Sequence, residues 1–390
     1  MGCLFVHDFR SYNRDGEVYT GNLSYEIWRE RYIKYFGSVK VLNRTEDMNN
    51  SDSPTKYVKA SGPNVEFLNV IDDFSPVRFV KNYCNYKKIV YDYVDDSQYV
   101  IIRLDSFLGL IAAKRCRETG KKYMIEVVGC VWDSFWNKGM YGKVAAYPLF
   151  KRMQREIKLA PYVVYVTEKF LQARYPTNGK NTNISNVLLS EHDDALLAKR
   201  LERIEKQYRD KANYQIVTVA SVSVRYKGQD SVIKALGDLK MRGCTNFIYH
   251  LIGVGDQSYL KSIAKDNDVE DQVIFHGGMK HDDVIAFLDK CDIYIQPSKQ
   301  EGLPRALIEG MSRGMICLGT NIAGIPELLE KGMLFSVRAK NYLEISKHFQ
   351  EIDKDLYIRQ AKRNFIEAQK YEANILEMRR DRFFTEFRDS

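Results

Sequence analysis

Residues 296–311 read Q-P-S-K-Q-E-G-L-P-R-A-L-I-E-G-M. They follow a short continuous apolar run, Ile293–Gln296, of the kind a strand buried on both faces requires, and they lead into a segment with helical spacing. Pro304 suits the first turn of that helix, where its missing N–H leaves no bond unmade. The turn Glu301-Gly302-Leu303 therefore points free backbone N–H groups outward at the carboxyl end of a strand. In a doubly wound sheet ligands bind there, and a helix N-terminus at that place stabilises a phosphate. Two carboxylates frame the turn, Glu301 in the loop and Glu309 in the helix eight positions on. Glutamates at that spacing are common by chance, so the pair takes its weight from the strand, glycine turn and helix around it.

Outward from this stretch the chain repeats strand then helix. From Tyr214 the alternation is YQIVTVA and DSVIKALGDL, NFIYHLIG and SYLKSIAKDN, QVIFHG and DDVIAFLDK, then IYIQPS, PRALIEGMSR, MICLGT and IPELLEK. Short apolar strands separated by helices signify a parallel doubly wound sheet. The first half repeats the theme with CLFVHDF, VKVLN, VEFLNV, YVIIRL, KYMIEVVG, YVVYVT and SNVLL. Two Rossmann-like domains facing across a cleft are thus expected, 1–204 and 205–370, with the charged helix Ala195–Asp210 connecting them. Residues 371–390 form a last helix whose Ile375, Leu376, Met378, Phe383, Phe384 and Phe387 offer an apolar side to the first domain.

EGLPRALIE, Glu301–Glu309, resembles the E-x7-E signature of retaining glycosyltransferases of glycosyltransferase family 4, which have the GT-B fold. The likeness is continuous from about Val217, through FHGGMKHDDVIAFLDKCDIYIQPS (Phe275–Ser298), to GTNIAGIPELL (Gly319–Leu329). It implies a metal-independent transferase that takes a sugar from a nucleotide-diphosphate donor. In that resemblance Glu309 holds the ribose hydroxyls and Glu301 contacts the transferred sugar. The amides of Gly302 and Leu303 hold sugar and diphosphate, Gly277 and Gly278 lie along the base, and Lys227 stabilises the leaving diphosphate. With a lysine and a helix N-terminus on the phosphates, neither a metal nor a cofactor is expected, the nucleotide sugar being a co-substrate.

Two departures affect the implied site. The family's arginine six positions before the lysine is Ser221 here, and Arg225 stands nearby as a substitute. The family's histidine after the strand KYMIEVVG is absent from Gly129–Asp133, leaving Asp133 either as a carboxylate in the cleft or as a helix cap. The glycine-rich loop expected after the first strand also has only Gly16 and Gly21 to form it.

The remaining signals exclude more than they assign. Gly253 and Gly255 lack the third glycine of a dinucleotide fingerprint, the six histidines have no metal-ligand spacing, and no G-x-S-x-G elbow occurs. Seven dispersed cysteines suit a reducing compartment, and MGCLFVHDF has no basic lead-in to a signal peptide, so the expectation is a cytoplasmic protein. No nucleic-acid partner is expected. Residues 101–200 hold 17 Lys+Arg against 9 Asp+Glu, an excess equal to the whole chain's +8. Within that stretch, Ala145–Tyr162 puts Leu149, Phe150, Met153 and Ile157 at helical spacing, with Lys151, Arg152, Arg155 and Lys158 beside them. This predicts peripheral contact with an anionic inner membrane face, in keeping with a saccharide or lipid-linked acceptor. Two rival functions share the fold: a nucleotide-sugar 2-epimerase, and a catalytically silent nucleotide-sugar-binding partner.

Overall fold

The alternation after Tyr214 folds into six parallel strands ordered Val273–Gly277, Phe247–Ile252, Tyr214–Val219, Ile293–Gln296, Ile316–Thr320 and Leu334–Phe335. The computed structural model describes residues 2–21, 23–48, 57–71, 76–136, 139–187, 189, 193–211 and 213–390. Packing divides the chain into two units, Met1–Ile184 with Met378–Ser390, and Ser185–Glu377.

In the second unit the chain runs outward through three strands from Tyr214–Val219, then returns to pair Ile293–Gln296 on that strand's other side. The order reverses between these two strands, and at such a switch point a doubly wound sheet binds ligands at the carboxyl ends of its strands. The strands owe their burial to near-continuous apolar runs, with Ile216, Val217, Ile293, Tyr294 and Ile295 at 0 % exposure.

The boundary expected near residue 205 falls instead at Ile184/Ser185. The helix Asp194–Asp210 is no free connector: buried Arg200 donates to the carbonyls of Leu288 and Arg313 at 3.1 and 2.8 Å, and Arg203 pairs with Asp292 at 2.9 Å. A charged helix can dock by capping carbonyls rather than by burying an apolar stripe, which periodicity does not reveal.

Among the described residues the first unit holds a nine-stranded sheet. Its parallel part is ordered Val65–Ile71, Val39–Asp47, Cys3–Arg14, Tyr99–Leu104, Tyr123–Val127, Tyr162–Tyr165 and Lys180–Asn183. The strand expected at SNVLL lies earlier, at Lys180–Asn183, a polar edge strand with no apolar pattern to betray it. The glycine loop expected after the first strand is a hairpin: Cys3–Arg14 pairs antiparallel with Glu17–Thr20. Asp15 and Gly16 turn it with φ of 54° and 81°, the two positive angles that a tight hairpin turn needs.

Phe383, Phe384 and Phe387 of the last helix, Ala373–Asp389, are buried in this unit against Tyr35, Tyr99 and Tyr162. Each buried ring is worth roughly 1.5–3 kcal/mol. Met378, expected on the same side, is instead 66 % exposed, and Leu376 is buried within the second unit.

The basic helix of the first unit spans Gly139–Leu159. Met153 and Ile157, on the apolar side of the amphipathic pattern, are buried in the protein at 1 % and 0 % exposure. Among the described residues no helix is long and apolar enough to cross a membrane.

Candidate functional site

The loops on either side of the strand reversal carry Lys227 and Glu301. After Tyr214–Val219 the chain passes through a single 3-10 turn, Arg225–Lys227, and enters the helix Gln229–Met241 at Gly228. Gly228 has φ +75°, and a Cβ there would stand 2.0 Å from the Pro297 carbonyl oxygen. Only glycine allows the two loops this approach, which Lys299 N–H fixes by donating to Tyr226 O at 2.7 Å.

The result is an ion pair. Lys227 Nζ reaches Glu301 Oε1 at 2.6 Å, with side chains 22 % and 11 % exposed. Ser298 Oγ and Gln296 Nε2 donate to the same oxygen at 2.7 and 3.0 Å. Three donors thus converge on Oε1 and hold the carboxylate in one orientation, while Oε2 has no partner among the described residues. Gln296 is itself fixed by Tyr294 OH, which donates to its Oε1 at 3.0 Å, and Thr320 Oγ1 ties down Ser298 O at 2.6 Å. The sequence reading missed Gln296 and Ser298. Their signal was available: with Tyr294 they recur at a period of two, on one face of the strand end.

Glu309 sits in the helix Arg305–Ser312, packed closely on the sheet because Gly310 meets Tyr294 where a Cβ would be 2.9 Å from that side chain. Its carboxylate is 10 % exposed, and among the described residues it accepts no hydrogen bond, His281 Nδ1 standing 4.0 Å away. Burial raises its pKa, against the pull of His281 and Arg305. No side chain caps this helix. The amides of Gly302 and Leu303 likewise have no acceptor among the described residues, although Gly302 O accepts from Gly324 N–H at 3.0 Å. An N-terminus with unbonded amides, a lysine and a part-buried carboxylate without a donor suits a ligand carrying both phosphate and hydroxyl groups.

Gly277, φ +72°, ends its strand facing open space, whereas Gly278 lies where a Cβ would stand 2.7 Å from Val254. Ser221 Oγ donates to Val254 O at 3.0 Å, and the Arg225 guanidinium lies over the Tyr259 ring at 4.4 Å. His250 and His276 meet at 2.9 Å on adjacent strands, but no group of three metal-ligating side chains occurs among the described residues.

The corresponding crevice of the first unit is differently built. There the helix Phe107–Thr119 follows the strand Tyr99–Leu104, and its N-terminus is filled by the protein's own Asp8, which accepts from Leu108 N–H at 3.1 Å and Ser106 Oγ at 2.9 Å. A carboxylate already occupies the place a phosphate would take. Asp133 lies in the short helix Val131–Trp136, 3.5 Å from Arg174 Nη1. That arginine also reaches Cys130 Sγ at 3.4 Å.

A profile of the family described as Glycosyl transferases group 1 matches residues 200–370. Protein CapJ of Staphylococcus aureus is 30% identical over 350 residues, 89% of this chain and 85% of that protein. The amylovoran biosynthesis glycosyltransferase AmsK of Erwinia amylovora is 36% identical over 123 residues, 30% of each chain. Among solved structures, Anabaena HepE in complex with UDP is similar in fold, with a TM-score of 0.65 at 15% identity, over 99% of this chain and 100% of that one.

Proposed function

The chain belongs to the family of Protein CapJ and carries a glycosyl transferases group 1 domain on a GT-B fold, and from that premise we propose that it is a retaining, metal-independent glycosyltransferase of envelope polysaccharide assembly. It moves a hexose-type sugar from a nucleotide-diphosphate donor to a saccharide or lipid-linked saccharide. The observation that carries this reading is the pairing of opposite needs at one crevice. Lys227 and the amides of Gly302 and Leu303 offer positive charge, and Glu309 offers a buried acceptor that has no donor among the described residues. A nucleoside diphosphate satisfies both.

In this mechanism Glu309 accepts from the ribose hydroxyls and Glu301 Oε2 accepts from a sugar hydroxyl. The helix N-terminus and Lys227 meet the diphosphate. As the glycosidic bond lengthens, negative charge grows on the leaving oxygen, and a cation already in place stabilises it without reorganisation. The acceptor hydroxyl attacks the face from which the diphosphate departs, through an oxocarbenium-like state, and its proton passes to the departing diphosphate oxygen on that face. UDP is a reasonable first nucleotide to test, because HepE, of like fold, was solved with it. AmsK, 36% identical over 123 residues, is named for amylovoran biosynthesis, which supports the choice of acceptor.

The test is incubation with a panel of nucleotide sugars and a lipid-linked acceptor extract, followed by mass spectrometry. One extended acceptor and released nucleoside diphosphate are expected, at a rate that EDTA leaves unchanged. No diphosphate release, even slow, would reduce the chain to a silent binding protein. Loss with EDTA and recovery with manganese would overturn metal independence.

A further inference from the structure

The helix Gly139–Leu159 presents a surface that the transfer reaction does not use. Met140, Val144 and Tyr147 recur along it at positions i, i+4 and i+7 and are 76 %, 73 % and 58 % exposed. Trp136, just before the helix, is 44 % exposed and stacks on Trp132, with ring centroids 5.1 Å apart. One more turn along the same row stands Lys151. Isolated exposed apolar residues are ordinary, but three large ones in a row on one helix face, with an exposed tryptophan just before it, are not.

The row continues into charge. Lys151, Arg152 and Arg155 line a groove of about 680 Å³, whose other cations, Lys114 and Arg117, face the helix from Phe107–Thr119. Arg117 is paired with Glu156 at 3.5 Å and Lys114 with Glu118 at 3.6 Å. Lys151, Arg152 and Arg155 have no carboxylate partner among the described residues. The ammonium groups of Lys143 and Lys151 lie over the rings of Trp136 and Tyr147 at 5.3 and 5.7 Å, holding cations at the depth of the aromatic rings.

We propose that this face docks on an anionic lipid bilayer, with Trp136, Met140, Val144 and Tyr147 entering the headgroup region and Lys151, Arg152 and Arg155 meeting anionic headgroups. Charge complementarity to an anionic surface is joined here to an aromatic and aliphatic row. Tryptophan and tyrosine favour the membrane interface, and uncompensated cations within a Debye length of an anionic leaflet are attracted to it. The inserting residues differ from those the sequence suggests, since Met153 and Ile157 are spent on the protein's own core. The inference rests on the reading of a membrane-borne acceptor, and it supplies the surface by which the enzyme reaches one.

Flotation with vesicles of phosphatidylglycerol and phosphatidylcholine tests it on the full chain. Binding at low salt is expected, weakening with added salt and absent from pure phosphatidylcholine. Lys151→Gln/Arg155→Gln is expected to lower the partition about fivefold for each cation, and Met140→Ser/Val144→Ser roughly tenfold. Both pairs carry exposed side chains, so either variant serves if the other folds poorly. Equal flotation with neutral lipid, or unchanged flotation of both variants, overturns the proposal. So does a chain that stays in solution but sediments as a dimer that Met140→Ser/Val144→Ser dissociates, because the row would then cover a second copy. Displacement from vesicles by inorganic phosphate, at constant ionic strength, would make the groove a soluble-anion site and also overturn it. UDP binding by calorimetry fails separately: a chain that floats as expected but binds no UDP supports this surface and refutes the donor site.

Discussion

Glu309→Gln separates a ligand-binding role from a structural one, because the two predict opposite changes in stability. The carboxylate is 10 % exposed and has no donor among the described residues. A buried acceptor left unpaired destabilises the fold, so neutralising it should stabilise the second unit by about 1 kcal/mol, or roughly 2–4 °C in melting temperature. The gain should depend on pH. Burial raises the folded-state pKa, so at pH values below the ordinary carboxylate range both states are neutral and the variant gains little. As pH rises through the folded-state pKa the wild type must ionise in place, stability is lost, and the variant's advantage grows to its full size. Binding should move the other way. Two charge-assisted bonds to ribose hydroxyls become neutral ones, a loss of roughly 1–3 kcal/mol, or about 5- to 150-fold in the Kd of UDP. Urea unfolding across pH and titration calorimetry measure both. A variant that is less stable and binds UDP as tightly as the wild type would refute the reasoning.

Glu301→Gln keeps an oxygen for Lys227, Ser298 and Gln296 but removes the charge that faces the sugar. Turnover should fall at least tenfold while UDP affinity changes less than about threefold, and equal losses in both would mean the roles of Glu301 and Glu309 are misassigned. Gly228→Ala forces a Cβ to within 2.0 Å of the Pro297 carbonyl oxygen at a φ of +75°. It should separate the two loops, lower stability by about 1–3 kcal/mol and reduce turnover through loss of the Lys227–Glu301 pair. A variant as stable and active as the wild type, by thermal melt and initial rate, would show that the loops need not touch.

What the sequence determined by itself was the second unit. Its central strands are buried on both faces and read as apolar runs, its helices keep their period, and the turn Glu301–Leu303 lies between a strand and a helix in plain view. Local physics sufficed there because each element's pattern agrees with its place in the sheet. Tertiary structure decided whatever depends on distant partners. The ion pair of Lys227 with Glu301 joins residues 74 positions apart and exists because strand order reverses between their loops. Asp8 fills a helix N-terminus nearly a hundred residues away, which no local pattern records. Arg200 turns an apparent linker into part of the second unit by bonding carbonyls, a contact without periodicity. The polar strand Lys180–Asn183 forms because a sheet edge accepts any backbone that can donate and accept in register. On the basic helix the sequence identified the amphipathic character, but only packing could decide which apolar residues the core takes and which remain outside.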